Sequence, residues 1–136
     1  MSTASATKTL PADIQSRLEH LRTLKDGWYD DGYNGRIGSA IPEVTIQFCE
    51  KLLQQLPPEL LTKVMIVPDP DGGINLNWNI NTYDWIECCI FKDPTEDDSW
   101  VWIHNHNQSI SKEFKFEQLS ECSQALIDLH NSMKNN

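Results

Sequence analysis

The stretch "GGINLNWNI", residues 72–80, constrains the fold more than any other part of the chain. Ile74, Leu76, Trp78 and Ile80 alternate with Asn75, Asn77 and Asn79. Successive side chains on a strand point to opposite faces, so this segment has one apolar face and one polar face. It reads as a half-buried antiparallel strand with one wet face. A chain built around such a strand must bring apolar elements to one side of it. Asp69-Pro70-Asp71-Gly72-Gly73, just before it, is a hairpin turn, and the short β-branched run "KVMIVPD" precedes that turn.

Helical periodicity supplies the other apolar surfaces. Leu10, Ile14, Leu18, Leu21 and Leu24 step by three or four, which predicts an amphipathic helix with Pro11 in its first turn and Gly27 past its end. Ile41, Val44, Phe48, Leu52 and Leu56 predict a second helix. Pro42 and Glu43 suit its first turn, and Pro57-Pro58 closes or kinks it. A last helix is expected from about Glu117, with Leu119, Cys122, Leu126, Leu129 and Met133 as its stripe.

Between them, "YDWIECCIF" is apolar on both faces and reads as a central strand. "KDPTEDD" is an acidic turn, "SWVWIHNH" another strand, and "KEFKF" a short fifth one. The order predicts an α+β fold: an antiparallel meander of four to five strands packed against a layer of three helices. Residues 1–9 read as a disordered tail and residues 10–136 as one domain. Hydrophobic residues at 39% and charged residues at 23% fit a globular chain and not a disordered one.

The formal net charge of −9 disfavours nucleic acid or an anionic membrane as a direct partner, and it permits a basic protein. No apolar run is long enough for a membrane helix, and no signal peptide is visible at the start. Cys49, Cys88, Cys89 and Cys122 form neither a zinc frame nor a disulfide scaffold, which points to a reducing cytoplasm.

Motifs for chemistry are sparse. His104-Asn105-His106 spells "HNH", but no ββα nuclease pattern surrounds it, and further metal ligands at usable spacing are missing. Asp69-Pro70-Asp71-Gly72-Gly73 opens like a calcium loop but lacks the later ligands. No phosphate-binding glycine loop occurs, and no motif sets a nucleophile beside a base. Catalytic residues, metal ligands and cofactors are therefore expected to be absent. Of the strand tryptophans, Trp78 belongs to the core face, while Trp100 and Trp102 are expected to share a face with His104 and His106.

The segment "LKDGWYDDGYNG", residues 24–35, is long for a link between helices. Gly27, Gly32, Gly35 and Gly38 allow positive-φ turns, and Trp28 is expected to plug the loop onto the end of the sheet. Asp26, Asp30 and Asp31 then form an acidic rim beside Tyr29 and Tyr33. With Asp93, Glu96, Asp97 and Asp98 of the second acidic turn, these residues and Trp28 are the candidate binding surface.

This loop and the later "VPDPDGGINLNWNI" together resemble a loose group of small bacterial α+β proteins. Their pattern is a leucine-rich helix, a W-D-G-type loop, a helix and a P-D-G-G-Ile-x-Leu-x-Trp strand. The resemblance covers roughly residues 14–80, and Tyr29 departs from it by intervening between Trp28 and Asp30. It implies a bacterial or mobile-element origin and a shared fold, and no catalytic residues.

The expected function is that of an acidic, non-enzymatic protein-binding module. Its concrete form is an inhibitor of a basic, nucleic-acid-handling effector, of antitoxin, immunity or phage anti-defence type, acting by steric and electrostatic blockade. A scaffold subunit of a larger bacterial assembly is the alternative. A metal-dependent enzyme using Asp26, Asp30, Asp31, His104 or His106 is a third reading. The partner's identity and the oligomeric state are not legible in the sequence.

Overall fold

Trp78 shows how the sequence alternation becomes tertiary structure. Its indole is fully buried, and Nε1 donates a 2.8 Å hydrogen bond to the carbonyl of Leu60. Burying an indole requires a partner for its N–H, and here a neighbouring helix provides one. The computed structural model describes residues 9–30, 37–81, 84–94, 98–106 and 109–134.

Five strands form one sheet: β1 (Met65–Pro68), β2 (Ile74–Asn81), β3 (Asp84–Ile90), β4 (Val101–Asn105) and β5 (Ile110–Phe114). They lie in sequence order and every neighbouring pair is antiparallel. The helices are α1 (Ala12–Thr23), α2 (Glu43–Gln54), the short α3 (Pro58–Leu61) and α4 (Leu119–Lys134). The expected α+β meander and helical layer are what the chain forms. Among the described residues no helix is long and apolar enough to cross a membrane.

Register explains why the core lies on one side. Ile66, Leu76, Cys88 and Ile103 are matched across four strands and all are buried. Ile74, Ile90 and Val101 form a second buried row beside them. They join Leu18, Leu21, Cys49, Leu52, Leu53, Cys122 and Leu126 of the helices in one contiguous core. Arg22 pairs with Glu19 of its own helix at 2.6 Å and ties α1 to α2 through Glu43 at 3.0 Å and Glu50 at 3.9 Å. The Glu43 hydrogen bond chiefly raises the Arg22 pKa, and the same bond lowers that of Glu43.

Several sequence expectations need correction. Pro11 and Pro42 are N-caps and precede the first helical turns. Val44 is 44% exposed, because the buried stripe of α2 runs through Thr45, Ile46, Phe48, Cys49, Leu52 and Leu53. Pro57-Pro58 does more than close α2. Pro57 caps α3 and Pro58 starts it, placing the Leu60 carbonyl under Trp78. α4 begins at Leu119, after a turn in which the side chain of Gln118 accepts from the Lys115 amide at 2.8 Å. β3 is not apolar on both faces. Asp84, Ile86, Cys88 and Ile90 are buried, while Trp85, Glu87 and Cys89 are half-buried on the other side.

Both sheet edges are blunted. On β1, Pro68 carries no N–H, and Arg17 Nε donates to the Ile66 carbonyl at 2.8 Å. On β5, Lys112 pairs with Ile103 and so takes a core-side position, yet it is exposed. A charge placed there disfavours an added strand.

Two substitutions test this packing. Trp78→Ala is expected to destabilise by about 3–5 kcal/mol in denaturant unfolding. A loss below about 1 kcal/mol would mean the indole is not the keystone of the core. Thr45 Oγ1 is buried without a hydrogen-bond partner, so Thr45→Val is expected to be neutral or to stabilise by about 1 kcal/mol. A clear loss of stability would show that the hydroxyl has a partner.

Candidate functional site

One-sided burial leaves the opposite face of the sheet without a covering element among the described residues. Register sets its layout. Asn77, Glu87 and His104 lie side by side across β2, β3 and β4, and Asn75, Cys89 and Trp102 form the next row. On the other flank Asn79 pairs with Trp85, and the His106 amide donates to the Trp85 carbonyl at 3.2 Å. The result is a three-by-three block with Glu87 at its centre, about 13 Å along the strands and 10 Å across them.

The side chains of this block hold one another. Trp85 stacks on His106 with ring centroids 4.1 Å apart and planes at 28°. Trp102 stacks on His104 at 4.9 Å and 13°. The two imidazoles meet edge to face at 4.4 Å. His104 Nδ1 lies 2.8 Å from Ser111 Oγ, which fixes its ring. Asn75 Nδ2 donates to Glu87 Oε2 at 3.0 Å, and His106 Nε2 stands 3.3 Å from Glu87 Oε1. Asn77 in turn donates to the side-chain oxygen of Asn75.

The block carries one thiol and two imidazoles beside the central carboxylate. Ser111 Oγ is the hydroxyl that meets His104, and Cys89 is the thiol of the block. Burial first, then the charges of Glu87 and Asp69, push its thiol up to about 12. A thiol so placed stays protonated near neutrality and is a poor nucleophile. Cys49 is also at about 12, chiefly through burial. Cys88 is raised well above the usual thiol range by its hydrogen bond to Cys122 and by burial. All four cysteines are free thiols. Among the described residues no group of three or more His, Cys, Asp or Glu side chains could hold a metal ion.

The acidic loop has a different structure from the one expected. The Gly27 amide donates to Gly38 and the Gly38 amide to Tyr29, both at 2.7 Å, and Asp30 bridges Ile37. Trp28 is seated within this ribbon. Its Nε1 donates to the Ser39 carbonyl at 2.8 Å, and a Cβ on Gly38 would lie 2.7 Å from the indole. Gly38 therefore serves close approach, while Gly27 has the left-handed φ of 91°. Asp26 Oδ1 accepts from the Ala40 amide at 2.9 Å and closes the loop. Tyr29 and Asp30 are exposed.

The Ser39 amide donates to Pro70 at 2.8 Å, so this loop joins the β1–β2 turn. Lys92 lies over Gly72 of that turn, whose φ is 94°. Asp93 and Asp98, both exposed, belong to the β3–β4 connection, which an antiparallel meander brings to the same end of the sheet. The fold thus gathers Asp26, Trp28, Tyr29, Asp30, Asp93 and Asp98 at one end. Asp31, Tyr33, Gly32, Gly35, Glu96 and Asp97 lie outside the described residues.

Trp100 does not share the open face with Trp102, His104 and His106. It meets Phe116 edge-on at 5.5 Å, and Phe116 packs on Phe48 of α2 at 5.3 Å. Sequence reading missed Trp85 and Glu87 as site residues. The signal for them was the spacing Trp85, Glu87, Cys89 on one parity of β3, obscured by apolar neighbours on the other parity. Comparison with protein-family models, curated proteins and solved structures finds no match to this chain.

The protonated state of Cys89 gives a direct test. In the folded protein its reaction with iodoacetamide is expected to be negligible near neutral pH. The rate should rise about tenfold per pH unit toward about 12, without levelling near the ordinary thiol value of about 9. Fast labelling at neutral pH, mapped to Cys89 by peptide mass spectrometry, would contradict this assignment and reopen thiol chemistry.

Proposed function

We propose that this chain is a non-catalytic protein-binding module that docks its partner on the open sheet face. The observation that carries this reading is the paired Trp–His stacks around Glu87, held half-buried on a face that no described element covers. Aromatic side chains fixed in place lose little conformational freedom on docking and serve well as anchors. With both edges blunted, the face is the larger surface available for association.

The net charge of −9 makes a basic protein the complementary partner. Acids at one end of the sheet, including Asp30, Asp93 and Asp98, would steer its approach, and the face would hold it. In its finer form the module blocks a basic, nucleic-acid-handling effector, of antitoxin, immunity or anti-defence type, by occupying the surface that meets phosphate. The free thiols support a reducing cytoplasm as the place of action. Met65 and Val67 of β1, 53% and 39% exposed, favour a second reading, in which an apolar flank joins a larger assembly.

Kinetics on the partner captured from the native host separate these readings. Asp98 has a φ of 62°, a conformation that Asn also tolerates, so Asp93→Asn with Asp98→Asn neutralises the rim without backbone strain. This pair, and raised salt, are expected to slow association by up to about tenfold. Trp85→Ala with Trp102→Ala is expected to speed dissociation. Association indifferent to salt and to the Asn pair would remove the steering mechanism and favour the scaffold. Dissociation unaffected by the tryptophan pair would remove the sheet face as the docking surface.

A further inference from the structure

We propose that the open face is a receptor for an arginine side chain of a protein partner, anchored at Glu87. This rests on the reading of the face as a docking surface and names the group recognised there. Glu87 occupies the centre of the three-by-three block, and no Lys or Arg stands among the other eight positions. Its side chain is 25% exposed, enough to reach solvent and little enough to be fixed.

A carboxylate has about four lone-pair sites. Asn75 uses one on Oε2, and His106 faces Oε1. The remaining sites allow a two-pronged approach from above the sheet. The surroundings then select among cations. The Trp85–His106 stack lies beside the carboxylate, and His104, stacked on Trp102, pairs with Glu87 across the strand. A guanidinium is planar, presents a fork of N–H donors to a carboxylate, and lies well against aromatic rings. An ammonium offers a point charge without that fork and is more strongly hydrated. Neutral side chains would add no charge to the half-buried carboxylate beyond what His106, 3.3 Å away, supplies. The asparagine row on β2 adds amide oxygens within the same block, where N–H groups that do not reach Glu87 can be received.

The supporting side chains are already in place. Ser111 fixes His104, the Trp85 carbonyl receives the His106 amide, and Asn77 holds Asn75 against Glu87. Little rearrangement is needed on binding, which is the condition for a weak single-residue contact to be measurable.

The test uses the full chain labelled with 15N, followed by NMR through the indole N–H signals. The probe is N-acetyl-arginine methylamide, compared with its citrulline and lysine counterparts. Arginine is expected to shift Trp85 and Trp102 with a dissociation constant of about 1–10 mM. The Trp78 signal, buried on the other face, should stay fixed and serves as the fold control. Citrulline should leave the signals unmoved, and lysine should bind less tightly than arginine. Glu87→Gln, nearly the same shape, is expected to weaken arginine binding by about tenfold while Trp78 keeps its native signal. Equal shifts with citrulline or lysine, no saturable shift with arginine, or unchanged binding in Glu87→Gln would each overturn the proposal. If arginine fails while the captured basic protein still requires Trp85 and Trp102, the docking reading stands and only the arginine assignment falls.

Discussion

The indole of Trp78 and its hydrogen bond to Leu60 form the constraint on which the rest of the structure depends. The ring fixes which parity of β2 faces inward. Antiparallel pairing carries that choice to β1 and β3, and from β3 to β4 and β5. A slip of one residue would expose Trp78 and bury the asparagines, so the hydrophobic effect holds the register firmly. The bond to Leu60 adds direction. It draws α3 over the sheet and sets the path from α2 into β1.

The same choice creates the open face. Once the helices cover one side, the other side must carry whatever alternates with the core residues. On β2 that is asparagine, and on β3 and β4 it is Trp85, Glu87, Cys89, Trp102 and His104. An ordinary solvated face would carry scattered charges and threonines. Here polar and aromatic side chains are bonded and stacked into one layer, with Asn77, Asn75 and Glu87 in series and two Trp–His pairs beside them. Each group limits the freedom of the next, which preorganises the surface. The blunted edges disfavour association by an added strand.

In the glycine- and aspartate-rich loop the described residues hold one another. Asp26 closes it, Trp28 fills it, and Gly38 makes room for the indole. Its bond to the β1–β2 turn fixes it at one end of the sheet. Exposed acids there lie beside the face and not upon it. In the proposed docking, that separation would let long-range charge act on encounter and short-range packing on residence, because the two effects differ in reach.

By itself the sequence determined the elements and their inward faces. The alternation through Trp78 and the three-to-four spacing through Leu18 and Cys122 are local patterns, and each needs only the geometry of its own strand or helix to be read. The turn at Asp69–Gly73 is equally local, since Gly72 must take a positive φ whatever lies around it. Only the tertiary structure decided that Trp100 turns to Phe116 while Trp102 lies on His104, that Trp28 rests on Gly38, and that Glu87 lies beside the Trp85–His106 stack and across from His104. These facts depend on cross-strand register and on contacts between residues distant in the chain. Periodicity tells which way a side chain points; it does not tell what meets it there.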